Sequence, residues 1–138
     1  MQSHRVLVVD DYADSAELLC VVLQTLGYEA RAAFTGSAAL DVALEFRPDI
    51  VILDLELPDM TGYEIARTLR ERQDGHSLHL IALTGNTRAD ALAHASEAGF
   101  DQYVVKPLGM ARIVRLMTHA AVQARSAQGD PRLETSGP

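Results

Sequence analysis

The chain has 138 residues, enough for one domain that buries roughly two-thirds of the surface its unfolded form exposes. Apolar residues make up 48% of it and aromatics only 5%, with no tryptophan, a composition suited to an aliphatic α/β core. The net charge of −7 argues against direct nucleic-acid binding, and a lone cysteine, Cys20, excludes an internal disulfide and suits a reducing compartment. No signal peptide stands out, and no apolar run approaches the ~20 residues a bilayer requires, so the expectation is a cytoplasmic protein without membrane contact.

Short apolar runs alternate with stretches of helical period along the chain. Val6–Val9 reads as the first strand. Ser15 to Leu26 follows with helical spacing, Leu18, Leu19, Val22, Leu23 and Leu26 falling on one side and Gly27 ending it. Cys20 and Val21 make this helix apolar all round, which predicts broad burial, with a dimer contact as the alternative. Ala30–Phe34 is a weaker second strand. The second helix starts after Thr35 or Ser37 and stops before Pro48. Ile50–Leu53 is the third strand, and the third helix follows Thr61, carrying Ile65, Ala66 and Leu69.

Leu80–Leu83 reads as the fourth strand. An Ala-rich fourth helix spans about Arg88–Ala98 and stops at Gly99; Leu92 is its only bulky aliphatic, so it can shift at low cost. Tyr103–Val105 is the fifth strand, and the fifth helix covers about Met110–Ala124, with Ile113, Val114, Met117 and Ala121 at helical spacing. Residues 125–138 lose periodicity and gather breakers, and read as a disordered tail or linker stub behind a domain at 1–124. Five βα units in a row imply a flavodoxin-like, doubly wound parallel sheet of order 2-1-3-4-5.

In such a sheet, chemistry gathers beyond the carboxyl ends of the strands. The first strand ends in Asp10-Asp11, the third in Asp54, the fourth in Thr84 and the fifth in Lys106, the only lysine beside eleven arginines. Each residue alone has an ordinary explanation: an aspartate caps turns, Thr84 packs as a β-branched residue, and Lys106 is a solvated charge. Together they put reactive groups at four of five strand ends. Three carboxylates around one point repel by about 3 kcal/mol per pair at an effective dielectric near 20. One lysine does not neutralise that, so either a carboxylate stays protonated or a hard cation such as Mg²⁺ joins the site. A carboxylate beside Mg²⁺, a hydroxyl and an ammonium suits formation of an aspartyl phosphate.

The segments VLVVDD, ILDLELPDMTG, IALTG and YVVKP, in this order and spacing over about residues 4–124, resemble the receiver domain of two-component response regulators. That resemblance implies Asp54 as phosphoacceptor. It implies Mg²⁺ held by Asp11, Asp54 and the backbone carbonyl of Glu56, with Asp10 contributing through water. Thr84 would swing toward the phosphoryl group, Tyr103 would turn inward with it, and Lys106, before a typically cis Pro107, would pair with a phosphoryl oxygen. Glu56 and Asn86 stand where the family varies and phosphoryl lifetime is tuned, and Thr61 stands where many members carry Asp. The implied partners are a histidine kinase or histidine phosphotransfer protein and a downstream protein. A phosphorylation-dependent dimer through the face of the fourth helix, fifth strand and fifth helix is a further expectation.

No output domain follows residue 124, and Met1 lies just before the first strand, so the expectation is a stand-alone signalling regulator rather than an enzyme. The alternative is the receiver part of a hybrid histidine kinase. A small Mg²⁺-dependent phosphohydrolase shares the acidic pocket but would need Glu56 as acid/base. An FMN-binding flavodoxin would offer amides and hydroxyls after the first strand, where DDYADS presents carboxylates. His4, His76, His79, His94 and His119 show no ligand spacing, and His76-x-x-His79 reads as an exposed loop.

Overall fold

The computed structural model describes residues 4–72, 78–85, 97–106 and 109–127. Strands β1 (Arg5–Val9), β2 (Glu29–Ala33), β3 (Ile50–Asp54), β4 (His79–Thr84) and β5 (Gln102–Val105) form one sheet in the order β2-β1-β3-β4-β5. Every pairing is parallel. The helices are α1 (Ala13–Thr25), α2 (Gly36–Phe46), α3 (Gly62–Glu71) and a last helix, Met110–Ala127. None of the described helices is long and apolar enough to cross a membrane.

The alternation of side chains along each strand divides the interior into two layers. Val6, Val8, Ile50, Ile52, Ile81, Leu83 and Val104 pack with α1 and the last helix. Leu7, Val9, Val51, Leu53, Leu80 and Ala82 face the other way, against Ala39 of α2 and Ile65, Ala66 and Leu69 of α3. Both faces of the central strands are covered, which is why β1, β3 and β4 are near-continuous apolar runs. The same parity places Asp10, Asp54 and Lys106 on the side of Val8, Ile52 and Val104, one step past the packed layer.

The fold and strand order match expectation, while several element boundaries and phases differ. In α1 the buried stripe is Ala16, Leu19, Cys20 and Leu23. Leu18 is 65% and Val21 56% exposed, so the helix is not buried all round. The sequence ranks both sides of this helix as apolar, and only the 16-19-20-23 phase meets the sheet. Phe34 and Leu26 lie just beyond their elements and are exposed. The last helix continues to Ala127, past the boundary expected at residue 124.

His79 also departs from expectation. It opens β4 and is buried, rather than lying in an exposed loop. Its Nε2 lies 2.6 Å from Gln102 Oε1 and its Nδ1 3.6 Å from Asp101 Oδ2. These polar partners sit 23 and 22 positions along, at the start of β5, where no local pattern announces them. The expected fourth helix up to residue 96, and His76, Asn86, Leu92, His94, Pro107 and residues 128–138, lie outside the described residues. Gly99, its expected stop, has φ 104°, the left-handed geometry that a helix-ending glycine adopts without strain.

Candidate functional site

Asp10 follows β1 directly, and its backbone N–H donates to the Ala33 carbonyl of β2, extending the ladder one step. Its side-chain Oδ1 accepts from the Tyr12 N–H at 3.0 Å, an Asx turn leading the chain into α1. Asp54 closes β3 and is 4% exposed. Oxygens of Asp10, Asp11 and Asp54 all lie within 4.8 Å of one another, with Asp11 on the solvent side.

Both Asp54 oxygens have donors. The Glu56 N–H reaches Oδ1 at 2.9 Å, and the Lys106 ammonium reaches Oδ2 at 2.7 Å. Lys106 comes from the end of β5, and its own backbone N–H donates to the Thr84 carbonyl at 2.9 Å. Thr84 closes β4 and is buried, whereas the Tyr103 ring on β5 is 44% exposed. The structure thus brings Asp10, Asp11, Asp54 and Lys106 into one cluster, with Thr84 next to the Lys106 backbone and Tyr103 turned to solvent. A cavity of about 660 Å³ opens beside it, bounded by Asp10, Asp11, Tyr12, Ser15, Lys106 and Ile113.

The electrostatics follow from the count of three carboxylates against one ammonium. Burial raises the Asp10 carboxyl above its usual 3.8, aided by the charges of Asp54 and Asp11, and outweighs the Tyr12 N–H and Lys106 that favour its ionised form. For Lys106 burial acts to lower its value, but the hydrogen bond to Asp54 and the charges of Asp54, Asp10 and Asp11 prevail and hold it above 10.5. The donor set is all oxygen, which fits a hard divalent cation in the Mg²⁺ class and does not fit a soft metal.

Sequence reasoning missed two features that hold this cluster in place. Asp59, in the loop after β3, accepts from the Gly36 and Ser37 N–H groups at 2.8 and 2.9 Å, clamping that loop to the start of α2. Those contacts hold Asp59 below the usual carboxylate range. Thr61 and Glu64 form a reciprocal capping box at the start of α3. The T-x-x-E spacing was a legible signal for the second; nothing local signals the first. Arg70 performs a similar task across the molecule, donating to the Leu78 and Gly99 carbonyls and pairing with Asp101 at 2.7 Å.

A parallel sheet of this order, with three carboxylates and one ammonium at its carboxyl ends, defines a flavodoxin-like α/β domain whose polar cluster lies at the topological switch point. Comparison with known proteins sharpens that class. Residues 6–118 match the response regulator receiver domain, and the chain belongs to that family. It is 36% identical over 126 residues to the DNA-binding response regulator MtrA of Mycobacterium tuberculosis, covering 91% of this chain and 52% of that protein. It is 38% identical over 133 residues to the transcriptional regulatory protein KdpE of the same species, covering 94% and 57%. The chain therefore spans about half the length of the curated relatives it matches. The chemotaxis protein CheY4 of Vibrio cholerae superposes with a TM-score of 0.81 at 27% identity, over 86% of this chain and 99% of that one. This is a receiver domain of a two-component response regulator.

Proposed function

We propose that this receiver accepts a phosphoryl group on Asp54 from a phosphohistidine of a histidine kinase or a histidine phosphotransfer protein. The observation that carries the reading is the buried Asp54 carboxylate, held by the Glu56 N–H and the Lys106 ammonium within an all-carboxylate cluster. An Asp54 oxygen attacks phosphorus, a new O–P bond forms, and the N–P bond breaks with its electron pair returning to the imidazole. Ordered donors serve this chemistry more than a general base does.

Asp10, Asp11, Asp54 and the Glu56 carbonyl are the groups that would hold Mg²⁺. The ion supplies charge neutralisation for the phosphoryl oxygens. Lys106 stays protonated, holds the Asp54 carboxylate in place and then pairs with a phosphoryl oxygen. Thr84 offers its hydroxyl to the same group, and Tyr103 moves inward from its exposed position as the β4 end resets. The signal then passes to a downstream protein through the face of the predicted fourth helix, β5 and the last helix, which also serves as the face of a phosphorylation-dependent dimer. Exposed Tyr103 and Val114 on that face support this reading. Contact with nucleic acid and membrane forms no part of it.

Incubation with acetyl phosphate and Mg²⁺ followed by intact mass tests the chemistry. A labile gain of one phosphate, lost in Asp54→Asn and in EDTA, is expected; no gain with any donor overturns the reading. We infer a stand-alone regulator acting in the cytoplasm. A second reading, a receiver within a longer polypeptide such as a hybrid histidine kinase, draws support from the relatives' greater length. An immunoblot of the source cells separates them: a band near 15.0 kDa supports the first, and only larger bands support the second.

A further inference from the structure

At the opposite end of the sheet, roughly 16 Å from Asp10 along β1, lies an open cavity of about 680 Å³. Three arginines, Arg5, Arg31 and Arg47, line it together with Phe46 and Tyr28. The Arg31 guanidinium carbon sits 4.6 Å from the Phe46 ring centroid, and that of Arg5 lies 6.0 Å from the same centroid. Two cations thus gather on one ring. Among the described residues no carboxylate lies within 4 Å of any of the three guanidiniums. Arg5 Nε instead donates to the Arg47 carbonyl at 3.2 Å.

Such a grouping is unexpected in a chain of net charge −7, where acidic partners are plentiful. Arg47 reaches the cavity from the end of α2, where it caps the helix in the left-handed region with φ 50° and donates its N–H to the Ala43 carbonyl, just ahead of Pro48.

We propose that this cavity binds a nucleoside phosphate. The guanidinium forks suit phosphate oxygens, which they grip in pairs where an ammonium offers only a point charge. The Arg31 guanidinium, already over the Phe46 ring, and the ring itself are surfaces on which a flat base can stack. Glu29 and Glu45, which also line the cavity, offer acceptors to the amino edge of a purine. The site uses no residue of the acidic cluster and does not depend on phosphorylation of Asp54.

Titration calorimetry and amide chemical-shift mapping on the full chain, with EDTA present to keep the acidic cluster free of metal, test the proposal. The probes are GMP, AMP and ribose 5-phosphate. Saturable binding of GMP or AMP is expected, with shifts centred on Arg31, Phe46 and Arg47. Ribose 5-phosphate should bind about tenfold more weakly or worse, since it lacks the ring. Arg31→Ala and Arg47→Ala should each weaken the nucleotide by about tenfold, and Arg31→Lys should recover little of that loss. Unchanged circular dichroism shows that these exposed-site variants remain folded. The proposal is overturned by no saturable binding at millimolar nucleotide or by equal affinity for ribose 5-phosphate. Affinities untouched by the arginine substitutions, or shifts centred on Asp10 and Asp54, overturn it equally.

Discussion

Lys106 Nζ stands 2.7 Å from Asp54 Oδ2, although the two residues are 52 positions apart in the chain. The pair links the end of β5 to the end of β3 across the intervening β4. The register that places Val104 and Ile52 on one face of the sheet also directs these two side chains to the same side. A compact ammonium reaches into this cluster of carboxylates, where the wider planar fork of arginine would crowd them. Lys106→Arg should therefore keep the charge but impair signalling. Asp54 should still take phosphate from acetyl phosphate, while the phosphorylation-dependent change in amide exchange over β5 and the last helix falls several-fold. A full exchange response in the variant would sink this account of the lysine.

Asp10 is buried among like charges, and its carboxyl is raised for that reason. A raised carboxylate makes the folded state bind a proton more readily than the unfolded chain does. Its ionisation therefore lowers stability, and the penalty grows as pH rises from 3.8 through the raised value. Asp10→Asn should stabilise the metal-free protein at neutral pH by about 1 kcal/mol, the ordinary scale of a point change. The same substitution should weaken Mg²⁺ binding by about tenfold. Urea unfolding in EDTA and Mg²⁺ titration by fluorescence check the two directions separately. Parallel loss of stability and of metal affinity would contradict the charge argument.

Gly62 opens α3 against the backbone that carries the acceptor. A Cβ there would stand 2.8 Å from the Asp54 carbonyl oxygen and 2.8 Å from the Leu55 Cα. Both neighbours are main chain and cannot swing away. Gly62→Ala should cost about 2 kcal/mol in urea unfolding, the scale of an overpacked core. It should also displace Asp54 and slow its phosphorylation. Gly85→Ala is the comparison, because among the described residues nothing lies within 4 Å of its added Cβ.

The strand ends were legible because a buried parallel strand is a short apolar run, and the first polar residue after it must sit at the rim. Asp10, Asp54 and Lys106 were placed together on that basis, and the hydrogen bonds and carboxylate distances find them together. The phase of α1 was not legible, because Leu18 and Val21 are as apolar as Leu19 and Cys20 and only the sheet decides between them. His79 was misplaced because its burial rests on Gln102 and Asp101, which the chain brings in from the next strand. The arginine cavity draws on β1, β2 and the end of α2, three segments whose charges look scattered in the sequence.

Asp59 extends the same lesson to a loop. Its two oxygens accept from Gly36 and Ser37, 23 and 22 positions earlier, and so tie the segment carrying Glu56 to the start of α2. The contact satisfies two of the N–H groups that a helix start leaves without partners, and the negative charge suits the helix dipole there. The Asp59 carboxyl is lowered by those N–H groups, so its contribution is present above 3.8 and is lost as pH falls through the lowered value. Asp59→Ala should lower the melting temperature at neutral pH by about 4 °C. The gap between wild type and variant should close as pH drops below that window, because protonated Asp59 no longer holds the helix start as a charge. Asp59→Asn should keep part of the stability at neutral pH, having one carbonyl acceptor in place of two carboxylate oxygens. A melting gap that stays constant from pH 7 into acid would show that packing of the loop, and not the ionised clamp, holds it to α2.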